Sequence, residues 1–353
     1  MKTVEMNFDG LIGPTHNYAG LAFGNLASSA AAQQKSSPKQ GALQGLEKMF
    51  LLHKLGVPQG ILPPLQRPHL STLKQLGFNG NKTNIINQVA RVNPALLASC
   101  YSASSMWSAN AATVSASSDT DDHKVHFTPA NLVSQFHRSI EPSDTATMLK
   151  AVFPDPAFFT HHSPLPAHIE WADEGAANHT RLHLPHSRMG INIFVFGQAK
   201  SSLFTPVTFP ARQRFEASQA LARSHGLAPS HSLFLQQLPK AIDQGVFHND
   251  VICVGHQHIL FYHQSAFVAE SALLNHLAAH QTNQDQWCLI IVLESEVSLK
   301  NAVSSYLFNS QIVTTKEQKI ALIAPQNCAK NQQVAQYLLQ LVKSDSVINE
   351  VHF

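Results

Sequence analysis

The feature that most constrains this chain is an order of elements that occurs twice in its last third. Val251–Val254 and Ile259–His263 predict a hairpin across Gly255-His256-Gln257-His258, followed by a helix near Ala269–His280 and a strand at Cys288–Leu293. The same order returns at Gln311–Thr315, Lys319–Ile323, Ala329–Lys343 and Val347–Phe353. The two units begin about 60 residues apart, a period that predicts a stacked or radial array. A unit this small cannot bury its own apolar face and needs neighbours. Ordinary α/β alternation gives a similar pattern, and the residues alone leave that alternative open.

Upstream, Pro38–Leu55 reads as a helix. Ser37 suits the N-cap, Pro38 the first turn, and Gln40 completes a capping box. Leu43, Leu46, Met49 and Phe50 predict its apolar stripe, and Gly56 its end. Shorter helices are expected near Leu70–Leu76 and Asn84–Arg91, a strand at Gly190–Phe196, and a helix at Ala211–Ser224 that stops at Gly226.

A chain of 353 residues, 44% hydrophobic and 13% charged, can bury a large core. It carries no Lys/Arg block, which argues against nucleic acid as a partner. Its longest apolar runs, such as Cys288–Leu293, are strand-length, far short of the roughly 20 residues a membrane helix needs. The first residues show no apolar signal-peptide core. Cys100, Cys253, Cys288 and Cys328 are far apart and form no CxxC pair, which predicts reduced thiols in a cytoplasmic protein.

The clearest chemical signal is Asp243-Gln244-Gly245-Val246-Phe247-His248-Asn249-Asp250. On an extended segment His248 and Asp250 would face one side. A group that titrates near neutrality beside a carboxylate predicts acid–base work on a cation. Glu174, followed by Gly175-Ala176-Ala177, is either a pocket carboxylate or an acidic residue at a helix N-terminus, and the latter is the commoner case. Arg212 is expected at a helix start, where a cation opposes the dipole unless an anion binds beside it. His137-Arg138 forms a second basic pair. Both are consistent with carboxylates on a substrate, and both with solvated surface charge. His179, His183 and His186 have the spacing of one helical face, which raises a metal site, but Pro185 interrupts the segment and no His-Glu-x-x-His motif occurs. No phosphate-binding glycine loop and no Gly-x-Ser-x-Gly elbow is present.

Several segments, in order, resemble the N-succinylarginine dihydrolase family. They are Asn7–Asn25, Pro58–His69, Met106–Thr113, Asp173–His179, Ile242–Val251 and Ala302–Gln311. The resemblance implies one domain over residues 1–353, a five-bladed α/β propeller of the pentein type with its last blade missing or incomplete. It implies that Glu174 and His248 belong to a Cys-His-Glu catalytic set. Substrate contacts are implied from Ala19, Gly20, Leu21, Ala22, Phe23, Gly24, Asn25, Leu26, Ala27 and Ser28, and from Asn110, His137, Arg138, Arg212 and Asp250. No metal or organic cofactor is implied; a homodimer is.

The implied reaction converts N2-succinyl-L-arginine and two waters to N2-succinyl-L-ornithine, two ammonia and carbon dioxide, a step of arginine catabolism. In that family a thiolate attacks the guanidinium carbon. His248 would protonate the leaving ammonia and then activate water. The family's nucleophile sits in a Gly-Gly-Gly-Pro-Ala-Cys-type segment near the C-terminus. None of the four cysteines has that context, and Cys253, in an apolar run, reads as a buried structural thiol. The expectation is therefore a truncated member with little or no turnover. The rival expectations are a non-catalytic succinylarginine-binding protein, a metal-dependent hydrolase built on the histidines, and deimination of free arginine.

Overall fold

The computed structural model describes residues 6–18, 20–102, 104–344 and 346–353. The repeat seen twice in the sequence occurs four times among the described residues. The first unit is β3 (Ala112–Ser115), β4 (Val125–Pro129), helix Pro142–Val152 and β5 (Phe159–His161). The second is β6 (His179–Leu182), β7 (Ile191–Phe196), helix Phe215–Ser224 and β8 (Ser232–Gln236). The third is β9 (Cys253–His256), β10 (Ile259–His263), helix Glu270–Ala279 and β11 (Cys288–Val292). The fourth is β12 (Gln311–Thr314), β13 (Ile320–Ile323), helix Gln332–Lys343 and β14 (Glu350–His352). In each, the middle strand pairs antiparallel with the strand before it and parallel with the strand after the helix.

A fifth sheet has two strands, β1 (Asn7–Gly10) and β2 (Gln59–Leu62), which pair in parallel across helix Pro38–Lys54. This is the middle-strand, helix, outer-strand half of the repeat. Among the described residues no strand pairs with the other edge of β1. The unit at 311–353 has all three strands its sequence predicts, and among the described residues the two-stranded sheet is the N-terminal one. The Asn7–Asn25 run opens as this strand.

The cores lie between neighbouring units. Leu182, Ile193 and Val195 of the second unit pack with Leu260, Tyr262 and Leu273 of the third. Phe261 and Val292 of the third pack with Leu322, Val334 and Leu338 of the fourth. Each buried Leu or Ile contributes about 1.5–3 kcal/mol of transfer free energy, most of it available only once the neighbour is in place.

Local departures from the sequence reading have physical causes. Helix Pro38–Lys54 has Pro38 in its first turn, but the Ser37 side chain makes no cap bond. Of its predicted stripe only Met49 is buried; Leu43, Leu46 and Phe50 are exposed. The helix buries Leu52 against Val313, Ala321 and Ile323 of the last unit, so its inward face is rotated from the stripe. The 211–224 helix begins only at Phe215, and Arg212 lies in its lead-in. The histidines at 179, 183 and 186 share no helical face: His179 is on β6, and the others bond to the Ser187 carbonyl and to Asp285. Among the described residues no three His, Cys, Asp or Glu side chains are placed to hold a metal. No described helix is long and apolar enough to cross a membrane.

Candidate active site

Each complete unit enters its first strand through a short 3-10 turn: Ser108–Asn110, Gly175–Asn178, Asn249–Val251 and Leu307–Asn309. These turns meet one another. A Cβ on Gly175 would lie 2.9 Å from the Ala109 carbonyl, so only glycine fits, and its φ is +74°. The Asn249 N–H donates to Asn178 Oδ1 at 2.9 Å. The Asn309 side chain bonds to the Asp250 carboxylate.

Over the turns lies a cavity of about 640 Å³. From the turns, Asn110, His248, Asp250, Tyr306 and Asn309 line it. The long loops after the middle strands supply more of the lining: Leu21, Ala22, Asn25, Ala27 and Ser28 after β1, His137 and Arg138 after β4, and Arg212 after β7.

Glu174 sits just before its 3-10 turn and is fully buried. The acidic-cap reading therefore gives way to that of a site carboxylate. Its Oε1 accepts from Ser134 Oγ at 2.5 Å. Its Oε2 accepts from Arg138 Nη1 and from His248 Nε2, the latter at 2.8 Å. Burial alone would push this carboxyl up. The Arg138 guanidinium, the bond from His248 and the nearby Arg212 hold it well below the usual range. Burial lowers His248 to about 4 despite Glu174, so the ring is neutral at pH 7. With Glu174 accepting, Nε2 carries the proton and Nδ1 is the free base, a tautomer assigned from the bonding pattern.

His248 is extended, but Asp250 is inside the 3-10 turn, so the predicted alternation on one strand face does not occur. The turn brings them together by another route, with His248 Nδ1 4.0 Å from Asp250 Oδ1. Burial pushes Asp250 up to about 7 against the Asn309 bond and the two arginines. Among the described residues its Oδ1 has no hydrogen-bond partner. A buried carboxylate oxygen left bare beside a cavity is a seat for a cation.

Arg138 is committed to protein, with Nη2 donating to Asn110 Oδ1 at 3.0 Å and Nη1 to Glu174. Arg212 Nη2 donates to the Phe23 carbonyl at 2.6 Å, and its guanidinium lies over the Phe247 ring. Burial lowers Arg212 to about 10, leaving it a cation. His137 is lowered to about 4 by burial and both arginines.

Within the predicted 19–28 strap, Ala19 lies outside the described residues. Gly20, Phe23, Gly24 and Leu26 do not face the cavity. Phe23 acts through its carbonyl, Gly24 turns at φ +84° beside Arg212, and Leu26 lines an adjoining apolar recess. Residues not singled out from the sequence also line the cavity, among them Asp9, Lys48, Trp107, Tyr306 and Asn309. Lys48 Nζ pairs with Asp9 at 2.7 Å. Tyr306 has φ +57°, a left-handed conformation rare for a bulky side chain, and its hydroxyl bonds to Asn25 Oδ1 at 3.1 Å. Except for Lys48, these residues lie in the segments that carry the family resemblance.

None of the four cysteines lines this cavity. Cys253 is buried, its thiol pushed up to about 12 by desolvation.

A family model described as succinylarginine dihydrolase matches residues 2–353. The N-succinylarginine dihydrolase of Shewanella amazonensis is 50% identical over 355 residues, covering 100% of this chain and 80% of the relative. That of Shewanella denitrificans is 52% identical over 355 residues with the same coverages. Among solved structures, the product-bound N-terminal domain of ArgZ, an arginine dihydrolase from the ornithine-ammonia cycle in Cyanobacteria, aligns with TM-score 0.53. It has 14% identity and covers 97% of this chain and 89% of that one, a likeness of fold. With a family model along nearly its whole length and relatives half identical to it, the chain belongs to the succinylarginine dihydrolase family.

Proposed function

We propose that this site binds N2-succinyl-L-arginine and serves its hydrolysis to N2-succinyl-L-ornithine, two ammonia and carbon dioxide. The observation that carries this reading is Asp250, a carboxylate in the cavity wall whose buried Oδ1 has no hydrogen-bond partner among the described residues and lies 4.0 Å from His248 Nδ1. Asp250 holds the guanidinium of the substrate; a charge-assisted bond to a planar cation fixes its orientation. Arg212, the less committed of the two arginines, takes a carboxylate of the succinyl-amino-acid end. Arg138 instead keeps Glu174 ionised, and Glu174 acts on the reaction through His248.

The chemistry runs in two like cycles. A thiol gives its proton to His248 Nδ1 as its sulfur bonds to the guanidinium carbon, and the C–N bond to a terminal nitrogen breaks as the imidazolium passes that proton to it, releasing ammonia. Water, deprotonated at His248 Nδ1, then bonds to that carbon and the C–S bond breaks, leaving the ureido compound. Repeating the cycle on that compound releases the second ammonia and carbon dioxide and leaves the ornithine amine.

A second reading has its own observation. The thiolate step has no candidate among the cavity-lining residues. For these 353 residues alone the reading is saturable binding with little or no turnover. Calorimetric titration with N2-succinyl-L-arginine, run beside an ammonia assay, tests both. Binding without ammonia is the expected result. Ammonia release at the rates of the family would overturn the second reading, and absence of saturable binding would overturn both.

The five-bladed propeller belongs to this proposal as well. Four units of one topology, and a two-stranded sheet that follows the same path from its middle strand onward, support it. Among the described residues the blade with two strands is then the one built on β1 and β2.

A further inference from the structure

Behind Glu174, away from the cavity, lies a second buried polar group that the proposed reaction does not use. The Glu174 N–H donates to Gln213 Oε1 at 2.7 Å. Gln213 Nε2 donates to Asp173 Oδ1 and to Ser218 Oγ, both at 3.2 Å. Asp173 Oδ1 also accepts from the Gly175 N–H at 3.2 Å. The N–H groups on either side of the Glu174 Cα are therefore both held by this one pair of side chains. The pair is anchored in turn: Asp173 N–H donates to Asn131 Oδ1 at 3.0 Å, and the Leu132 N–H to the Asp173 carbonyl at 3.0 Å. Asp173 is fully buried, Gln213 nearly so, and neither lines the cavity.

This arrangement costs stability. Asp173 Oδ2 is buried without a partner among the described residues, and the carboxyl is pushed up to about 7 by burial. A group kept at such a cost, tied by two bonds to the backbone of one site residue, fits a positioning role.

We infer that Asp173 and Gln213 are a positioning pair that aims the Glu174 carboxylate at His248 Nε2. They come from two ends of one unit, the second: Asp173 leads into the 3-10 turn before β6, and Gln213 follows β7. The pair transmits the packing of β7 and helix Phe215–Ser224 to the site. The inference rests on reading Glu174 and His248 as a working pair, yet its test needs no turnover.

Nitrogen-15 NMR of the histidine side chains, with His248 assigned by its loss in His248→Gln, reports the Nε2–H proton bonded to Glu174. In Gln213→Met and in Asp173→Ala that strongly deshielded proton should move upfield or vanish through exchange. In Asp173→Asn, which keeps an acceptor at Oδ1, it should remain. Leu182→Ala, destabilised in a core away from the pair, should leave it unmoved. An unchanged His248 signal in Gln213→Met, with stability lowered as in Leu182→Ala, would make the pair merely structural and overturn the inference. So would failure of both Gln213→Met and Asp173→Ala to fold. Lack of succinylarginine binding by the unmodified protein would instead sink the proposed function and leave this test standing.

Discussion

His248 Nε2 lies 2.8 Å from Glu174 Oε2, so the ring's one proton is taken on the buried side and its lone pair is left toward Asp250. Removing the charge of Glu174 also deprives Arg138 of its counterion, since both bonds end on the same oxygen. Glu174→Gln should lower the unfolding free energy by about 3–5 kcal/mol, the cost of stranding one partner of a buried pair. Urea denaturation measures this. A loss below about 1 kcal/mol would mean that solvent reaches the pair.

Ligand affinity should depend on pH through Asp250. Its carboxyl is raised to about 7, so it is neutral below that value and gives a guanidinium no charge. Binding of N2-succinyl-L-arginine should weaken as pH falls from 8 to 6, by up to about tenfold per unit below the pKa. In Asp250→Asn the affinity should be low throughout and this slope absent. Calorimetry across the range decides it; a slope that survives the substitution assigns the titration elsewhere.

The same shift has an opposite sign for stability. Between 3.8 and about 7 the folded state binds the Asp250 proton that the unfolded state releases. Stability from this group is therefore present at the acid end and lost as pH rises to about 7. The stability of Asp250→Asn relative to the unmodified protein should climb across that window and level off above it, in chemical denaturation at matched pH values.

Arg212 should matter to two things at once, because its guanidinium faces the cavity while Nη2 holds the Phe23 carbonyl. Arg212→Lys keeps charge but not the fork. Affinity for N2-succinyl-L-arginine should fall about ten- to a hundredfold, the range for a lost charged hydrogen bond. Hydrogen exchange should rise at residues 21–28, a change that simple loss of a ligand contact would not cause.

Leu182 is fully buried at the seam of the second and third units. Leu182→Ala should cost about 2–5 kcal/mol and leave a single unfolding transition, since that core belongs to both units. Two separate transitions by calorimetry would show that the units fold independently.

The repeat was legible in the third and fourth units because their strands are continuous apolar runs, Ile259–His263 and Cys288–Val292 among them. It was hidden in the first, where β4 (Val-His-Phe-Thr-Pro) mixes polar and apolar residues and β5 has three residues. The partner of His248 was not legible either: Glu174 is 74 residues away, and only the fold brings the two together. The resemblance named both, along with the arginines, but not their division of labour, because which arginine is spent on Glu174 depends on distances. Arg212 was misplaced onto a helix because the approach of Gln198 to Arg214 as an isolated bridge delays the helix to Phe215.

The 3-10 turns have a consequence for how such a site tolerates change. Each unit places its residue by leaning on the turn of the next, at Ala109 and Gly175, Asn178 and Asn249, Asp250 and Asn309. Position is thus set by local reference between neighbours, not by dead reckoning along the chain. Insertions in the long outer loops leave these references alone. A single methyl on Gly175 does not, and its effect would travel from turn to turn round the cavity floor.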